Sequence, residues 1–216
     1  MRIRVKICCI SSVDEAQMAT SAGADALGLV GPMPSGPGII NNELIGEIAR
    51  FVPPAVGSFL LTSETDATAI AAHHQKVHTN TIQLVDALQS GDYKTIRDLT
   101  GPVKLVQVIH VLDEGSIDEA LRVAQHVDAL LLDSGNPNLQ VKELGGTGRV
   151  HNWALSRRIV DNSPVPVFLA GGLHAGNARE AIETVQPFGL DLCSGVRTGG
   201  KLDPQKLDQF FRAVYS

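Results

Sequence analysis

The sequence predicts an α/β protein made of one domain, a (β/α)8 TIM barrel that spans residues 1–216. Apolar, strand-like runs alternate with amphipathic helical runs along the whole chain, and there are eight of each. Units of about 25 residues in this strict order indicate a parallel sheet with helical crossovers, and eight of them close into a barrel. An open doubly wound sheet is the alternative, but it usually carries glycines after its first strand, where this chain has Cys9, Ile10 and Ser11.

The strand predictions rest on short apolar runs without polar alternation, a pattern typical of strands that are buried on both faces. They cover residues 3–8, 26–30, 56–61, 81–85, 104–111, 129–132, 167–170 and 189–193. A loop rich in glycine and proline, residues 31–38, follows the second strand, and the longest loop, residues 134–152, follows the sixth. Loops after barrel strands are where this fold carries its functional sites.

The helix predictions rest on apolar residues at helical spacing, bounded by capping and stop residues. The expected boundaries are Ser11 or Ser12 and Gly23 for the first helix, Pro53 and Pro54 after the second, Thr62 or Ser63 before the third, and Trp153 at the start of the sixth. A weaker fourth helix lies near residues 93–99. The clearest apolar faces are Ile117, Ala120, Leu121 and Ala124 in the fifth helix, Ala178, Ala181, Ile182 and Val185 in the seventh, and Leu207, Phe210, Phe211 and Val214 in the eighth.

Composition argues against several classes of protein. With 44% hydrophobic and 19% charged residues the chain can form a sizeable core, and its net charge of −5 argues against a nucleic-acid surface. No segment approaches the roughly 20 apolar residues of a membrane helix, and there is no signal-peptide pattern, so we predict a cytoplasmic protein without membrane contact. The three cysteines, Cys8, Cys9 and Cys193, lack metal-ligand spacing and suit a reducing compartment.

Two pairs of small residues follow the last two predicted strands. Gly171 and Gly172 come after the seventh strand, and Ser194 and Gly195 come after the eighth. Glycines let backbone N–H groups approach a ligand closely, and the loops after strands seven and eight of a barrel commonly hold a phosphate. The two loops are therefore predicted to form a phosphate-binding cup, with a purely structural turn as the alternative for each pair.

Polar residues at the carboxyl ends of the strands are the candidates for chemistry. Asp133 follows three leucines, and burial at the rim of an apolar barrel would raise the pKa of its carboxyl group and suit it to general acid catalysis. Cys8 ends the first strand and His110 the fifth, where the histidine could contact a substrate or act as a further acid or base. The structural alternatives are a loop cap for Asp133, a small core filler for Cys8 and a hydrogen-bonded core histidine.

Six short segments, in order over nearly the full length, carry a resemblance to a known family. They are residues 6–10 (KICCI), 21–28 (SAGADALG), 131–134 (LLDS), 145–148 (GGTG) with Trp153, 170–173 (AGGL) with Asn177, and 191–196 (DLCSGV). Together they resemble the phosphoribosylanthranilate isomerases, the barrel enzymes of tryptophan biosynthesis. The resemblance implies an Amadori rearrangement, an aldose-ketose isomerisation, of N-(5-phosphoribosyl)anthranilate.

The same resemblance implies roles for particular residues. Cys8 becomes the general base and Asp133 the general acid, since one acid and one base on opposite sides of the sugar suffice for this reaction. The substrate phosphate is held by the small residues of the last two loops, and the loop after strand six adds N–H donors. These residues are Gly171, Gly172, Ser194, Gly195, Gly146 and Gly148. The partner is then a small phosphorylated sugar, and no metal, nucleotide or organic cofactor is needed.

Four sites depart from the family's usual pattern. The loop after strand two normally carries an arginine that holds the anthranilate, and residues 35–37 read Ser-Gly-Pro instead. Residues 83–86 read Gln-Leu-Val-Asp where the family tends to have Gln-Leu-His-Gly. Arg197 stands where a glutamate is usual, and Cys9 stands where glycine is usual. Most of these changes fall where the aromatic half of the substrate would lie.

Three alternatives for the function follow. The chain is a phosphoribosylanthranilate isomerase in which Arg197 or Arg149 meets the carboxylate, or a paralogue that isomerises another phosphorylated aminosugar or aldose. Arg197 could instead be a solvated surface residue, in which case R197A would leave activity unchanged. The third alternative is a non-catalytic phosphosugar-binding barrel, against which Cys8 and Asp133 argue. The sequence predicts a monomer or a homodimer and does not choose between them.

Overall fold

Eight parallel strands form a closed barrel in chain order, as the sequence predicts. The computed structural model describes residues 2–34, 36–135 and 151–215. The strands are β1 (Arg4–Ile7), β2 (Ala26–Val30), β3 (Gly57–Thr62), β4 (Thr81–Leu84), β5 (Lys104–His110), β6 (Ala129–Asp133), β7 (Val167–Leu169) and β8 (Gly189–Leu192). The helices are α1 (Val13–Ala22), α2 (Asn42–Phe51), α3 (Ala67–Val77), α4 (Tyr93–Thr100), α5 (Gly115–Val123), α6 (Trp153–Asn162), α7 (Ala178–Val185) and α8 (Pro204–Tyr215).

The barrel has two separate apolar layers. Leu130 and Leu132 of β6 belong to the layer between strands and helices, whereas Leu131 belongs to the barrel interior. Because successive side chains of a strand point to opposite faces, Asp133 faces the interior together with Leu131. Because both faces of each strand are buried, the strands are continuous apolar runs in the sequence. The last inward-facing residue of each strand lies at one mouth of the barrel.

The barrel closes where β1 pairs with β8. At this seam the first and last strands of the barrel lie side by side, and Lys6 is the register partner of Asp191. On its other side β1 pairs with β2, where Lys6 faces Ala26. The seam brings residues more than 180 positions apart in sequence into contact, such as Lys6 and Asp191 at a separation of 185.

The capping prediction for α3 is wrong. Asp66 caps this helix, and its Oδ1 accepts hydrogen bonds from the backbone N–H groups of Thr68 at 3.0 Å and Ala69 at 2.9 Å. Thr62 is instead the last residue of β3, and its hydroxyl is hydrogen-bonded to Nδ1 of His73 at 3.0 Å. A carboxylate satisfies two orphan N–H groups at a helix start. The hydrogen bond from the Thr68 hydroxyl, together with these backbone bonds, lowers the pKa of Asp66 to about 2. For α1 the prediction is confirmed, with Ser12 as the cap.

After β8 the chain forms two short elements that the sequence patterns did not predict. A 3-10 turn covers Ser194–Val196, and a small antiparallel pair, β9 (Arg197–Thr198) and β10 (Lys201–Leu202), precedes α8. Both lie at the mouth that carries the ends of β1 and β8. Within the described residues, no helix has the length and apolar character needed to cross a membrane.

Candidate active site

A pocket opens to solvent at the carboxyl ends of the strands. Its apolar wall consists of Val30, Met33, Pro37, Leu61, Val85, Val108, Leu131, Ala170, Leu173 and Leu192. Its polar and small residues are Cys8, Cys9, Gly36, Gln83, Asp133, Gly171, Gly172, Asp191, Cys193 and Ser194. A mostly apolar cavity with a few convergent polar groups is the usual form of a small-molecule site.

Cys8 lies at the end of β1 with its side chain in the pocket wall. It is buried, and its backbone N–H donates to the carbonyl of Leu192 at 2.7 Å, so β8 fixes its position. A Cβ placed on Gly28 would lie 2.9 Å from the sulfur of Cys8 and 3.1 Å from Nζ of Lys6. The thiol and the ammonium group therefore lie close together beside Gly28 of β2, which has no side chain to separate them.

Lys6 and Asp191 form a buried ion pair beneath the pocket. Nζ of Lys6, a fully buried side chain, donates to Oδ1 of Asp191 at 2.8 Å, and it lies 5.3 Å from the ring centroid of Phe59. Burial opposes the charged form of Lys6, but the charges of Asp191 and Cys8 outweigh it and raise the pKa of Lys6. Asp191 also lines the pocket, so the pair places fixed charges of both signs beside Cys8.

The sequence reasoning did not single out this pair. The sequence contains one indication of it. Lys6 stands two positions before Cys8, and Asp191 stands two positions before Cys193. Residues two positions apart in a strand point to the same face, so each charged residue faces the barrel interior with its cysteine. A lysine and an aspartate within two otherwise apolar strands are costly unless they neutralise each other, which is what the closed barrel allows.

Asp133 ends β6 and faces the same pocket. Its side chain is buried, and its Oδ2 accepts a hydrogen bond from the backbone N–H of Gly135 at 3.2 Å. Burial raises the pKa of this carboxyl group above its usual value, and the charge of Asp191 adds to the effect. The charge of His110 and the N–H groups of Ser134 and Gly135 oppose the rise without cancelling it. A carboxyl group in this state is suited to donate a proton.

His110 and Gln83 each carry one buried polar atom without a hydrogen-bond partner among the described residues. His110 is the register partner of Asp133, and its Nε2 donates to the carbonyl of Val85 at 3.2 Å. His110 is not among the described residues that line the pocket, so its expected substrate contact is not seen. Its Nδ1 and the Oε1 of Gln83 are buried and have no hydrogen-bond partner within the part of the chain that the structure describes. Gln83, unlike His110, lines the pocket and can accept a hydrogen bond from a ligand.

The two small-residue loops lie against each other at the pocket. Gly171 and Gly172 have φ values of 85° and 61°, the left-handed region that favours glycine. A Cβ on Gly195 would lie 2.0 Å from the carbonyl oxygen of Leu173, so the second loop packs directly on the first. Gly171, Gly172 and Ser194 all line the pocket. The loops thus have the side-by-side arrangement that the predicted phosphate cup requires.

Arg197 does not occupy the position that the sequence predicts for it. Its guanidinium is buried, and its Nη1 and Nη2 each donate to a carboxylate oxygen of Glu15 at 3.0 Å. Further hydrogen bonds join it to the carbonyls of Cys8, Cys9 and Gly200. Arg197 is absent from the described residues that line the pocket. A guanidinium committed to Glu15 and three carbonyls is a structural clamp rather than a substrate ligand, so neither the predicted substrate contact nor the solvated alternative describes it.

Several predicted site residues lie outside the described residues. Gly146, Gly148 and Arg149 belong to segment 136–150, and Ser35 is not described either. Of the loop after β2, Met33, Gly36 and Pro37 line the pocket. Neither lysine nor arginine lines it within residues 2–34, 36–135 and 151–215.

These groups lie where enzymes with a (β/α)8 barrel carry their active sites, at the carboxyl ends of the strands. The family model of N-(5'phosphoribosyl)anthranilate (PRA) isomerase matches residues 5–213. N-(5'-phosphoribosyl)anthranilate isomerase 2 of Methanosarcina mazei is 34% identical over 210 residues, which cover 96% of this chain and 92% of that protein. The chain therefore belongs to the phosphoribosylanthranilate isomerase family, which consists of aldose-ketose isomerases, a type of intramolecular oxidoreductase.

Solved structures agree with this assignment. The crystal structure of phosphoribosyl anthranilate isomerase from Thermotoga maritima has a TM-score of 0.82 and 28% identity, and the match covers 98% of each chain. A phosphoribosyl anthranilate isomerase in complex with reduced 1-(o-carboxyphenylamino)-1-deoxyribulose 5-phosphate has a TM-score of 0.79 and 26% identity, again over 98% of each chain. The TIM barrel predicted from the sequence is thus also the fold of these family members.

Proposed function

We propose that this chain catalyses the Amadori rearrangement of N-(5'-phosphoribosyl)anthranilate in tryptophan biosynthesis, with Asp133 as general acid and Cys8 as general base. The observation that carries the proposal is the buried carboxyl group of Asp133, with its raised pKa, in the same pocket as the thiol of Cys8. The family supports the substrate, and the related structure in complex with a reduced carboxyphenylamino deoxyribulose phosphate supports the kind of ligand.

The reaction needs two proton movements. Asp133 donates a proton to the ring oxygen of the furanose, and the bond between that oxygen and C1 of the sugar breaks, which leaves a protonated imine. Cys8 then removes the proton from C2, and the resulting enamine-type enol rearranges to the aminoketose. Acid and base catalysis of this kind contributes about 10²–10⁴-fold each. The Lys6 ammonium lies close to the thiol of Cys8, since both approach the same side of Gly28.

The phosphate end of the substrate belongs in the cup of Gly171, Gly172 and Ser194. Backbone N–H groups of such loops can meet phosphate oxygens without a lysine or arginine. Anchoring the phosphate there fixes the ribose between the ends of β1 and β6, which is where Cys8 and Asp133 lie. Positioning by the non-reacting end of a substrate is itself a large part of catalysis.

A second candidate is the isomerisation of a different phosphorylated aminosugar or an aldose phosphate. The absence of lysine and arginine from the described pocket lining favours it, because an anthranilate carboxylate calls for a cation. Lys6 and Arg197 do not supply that cation, since they are paired with Asp191 and Glu15. The non-catalytic alternative has no such observation in its favour.

The experiment is turnover of freshly generated phosphoribosylanthranilate, followed by the loss of its fluorescence. We expect turnover by the wild type and a loss of roughly 10²-fold or more in both C8S and D133N. D161N is the matched control for D133N, because Asp161 lies on α6 and pairs with Arg157 at the surface. An inactive wild type would overturn the substrate and favour the second candidate. Wild-type rates in C8S and D133N would overturn the assigned roles.

The oligomeric state, a monomer or a homodimer, and the cytoplasmic location stay predictions.

A further inference from the structure

Two cysteines meet at the rim of the pocket. The sulfur atoms of Cys9, in the loop after β1, and Cys193, directly after β8, lie 2.6 Å apart, and both cysteines are free thiols. Cys9 is buried, Cys193 is half-buried, and both line the pocket. A disulfide has an S–S distance of about 2.05 Å, so an approach of roughly 0.5 Å would join them.

We propose that Cys9 and Cys193 are a redox modification site, at which a reversible disulfide ties the first loop of the barrel to the last and lowers turnover. The oxidant is a low-molecular-weight disulfide such as glutathione disulfide. Disulfides of cytosolic proteins are characteristically transient and redox-sensing, so the site is compatible with a reducing compartment. Nothing in the isomerisation itself calls for a second or third thiol.

The fold holds Cys9 in place at a cost. Its φ is 62°, a left-handed conformation that costs a residue other than glycine roughly 1–2 kcal/mol. Arg197 donates to the carbonyls of Cys8 and Cys9, and its pair with Glu15 anchors it to α1. On the other side, a Cβ on Gly38 would lie 2.5 Å from Cβ of Cys9, so the loop after β2 packs on this side chain. These contacts fix the backbone and Cβ of Cys9 beside Cys193.

Cys9 and Arg197 meet in one place. Cys9 supplies one thiol, while Arg197 donates to the backbone carbonyl of the same residue. The second thiol, Cys193, lies four positions before Arg197. Arg197 thus ties the backbone of Cys9 to the segment that follows Cys193.

The two thiols differ in pKa, and disulfide exchange requires a thiolate as the attacking group. The hydrogen bond with Cys9 lowers the pKa of Cys193 against the effect of burial, and the positive charge of Arg197 lowers it further. Hydrogen bonds with Cys193 and Cys8, together with burial, raise the pKa of Cys9. Cys193, which is also the more exposed, is the attacking thiolate, and Cys9 is the resolving thiol.

The exchange balances in two steps. The thiolate of Cys193 attacks one sulfur of glutathione disulfide, a mixed disulfide forms, and one glutathione thiolate leaves. Cys9 then loses its proton to solvent and attacks the sulfur of Cys193, and the second glutathione thiolate leaves. Two protein thiols are oxidised and one glutathione disulfide is reduced to two glutathione molecules.

The effect on turnover rests on the proposed function. Cys9 follows the proposed base Cys8, and Cys193 precedes Ser194 of the phosphate cup. A bond between them draws these two neighbours together and displaces the base relative to the phosphate. A misplacement of about 1 Å can cost 10²-fold in rate, so we expect the smaller movement here to reduce turnover at least tenfold.

The experiment measures formation of the disulfide and turnover of the enzyme separately. The reduced protein is incubated with glutathione disulfide, its free thiols are alkylated, and the intact mass and the disulfide-linked peptides are measured. We expect one alkylated thiol instead of three, a linked pair of peptides that contain Cys9 and Cys193, and full reversal by dithiothreitol. C9G and C193S should form no bond, and each should show the same turnover before and after oxidation. C8S lacks the proposed base but should still form the bond.

The outcomes are distinct. Three alkylated thiols after incubation, a mixed disulfide that never resolves, or a bond that includes Cys8 would overturn the site. A bond between Cys9 and Cys193 that leaves wild-type turnover unchanged would overturn its effect on the enzyme. If the wild type had no turnover on phosphoribosylanthranilate, the proposed function would fail. The redox site would still be tested, because the intact mass shows whether the disulfide forms in the wild type and in C8S.

Discussion

Substitution of Gly195 by alanine tests whether the two loops must touch for the phosphate to be held. The added Cβ would lie 2.0 Å from the carbonyl oxygen of Leu173, and ordinary contact begins near 3.4 Å. The loop after β8 must therefore retreat from the loop after β7 by about 1.4 Å, the difference between these distances. Because Ser194 precedes Gly195 and lines the pocket, the cup opens by a similar distance.

A displacement of about 1 Å at an anchoring group can cost 10²-fold in rate, which corresponds to roughly 2.7 kcal/mol. We therefore expect kcat/KM of G195A for phosphoribosylanthranilate to fall by about 10², with weaker inhibition by inorganic phosphate. G46A is the matched control, because the nearest atom to its Cβ is the flexible end of Arg50 at 3.4 Å. Gly46 lies inside α2, where alanine stabilises a helix by about 1 kcal/mol. Wild-type kcat/KM and phosphate inhibition in G195A would refute the reasoning.

Two further predictions concern stability. The raised pKa of Asp133 means that the folded state holds a proton that the unfolded state releases near pH 4, so the free energy of unfolding falls as pH rises from there through the raised pKa. D133N should therefore be more stable than the wild type at pH 7.5 and lose that advantage near pH 4 in urea denaturation; an advantage independent of pH would contradict this. R197A leaves Glu15 buried without its partner and should cost about 3 kcal/mol, or roughly 6–12 °C in Tm. The control R212A breaks only an exposed pair and should change little, so equal Tm values for the two variants would count against the clamp.

Local patterns predicted most of the fold. The strands of the barrel lie within two residues of their predicted bounds, because a strand buried on both faces leaves a continuous apolar run in the sequence. The prediction for the start of α3 was wrong because the helix begins at Ala67, directly after Asp66, a boundary that apolar spacing alone does not fix. The 3-10 turn and the small β9 and β10 pair are too short to leave a periodic pattern.

Part of the candidate site was also predictable. Asp133 and Cys8 could be named because each ends an apolar run, and the phosphate cup because two small-residue pairs follow consecutive strands. The structure places Cys8, Asp133, Gly171, Gly172 and Ser194 at one pocket, although their roles stay predictions. His110 was expected at a substrate, but its ring is bonded to the carbonyl of Val85 and does not line the described pocket.

What the sequence by itself determined is the order of strands and helices and the mouth at which the candidate chemical groups collect. These properties are local, because they follow from spacing along a few consecutive residues. The tertiary structure alone decided the pairs Lys6 with Asp191, Glu15 with Arg197 and Cys9 with Cys193, whose members are 185, 182 and 184 residues apart. All three pairs join the first unit of the barrel to the last. Their partners are set by the closure of β1 on β8, which no pattern within a single segment can encode.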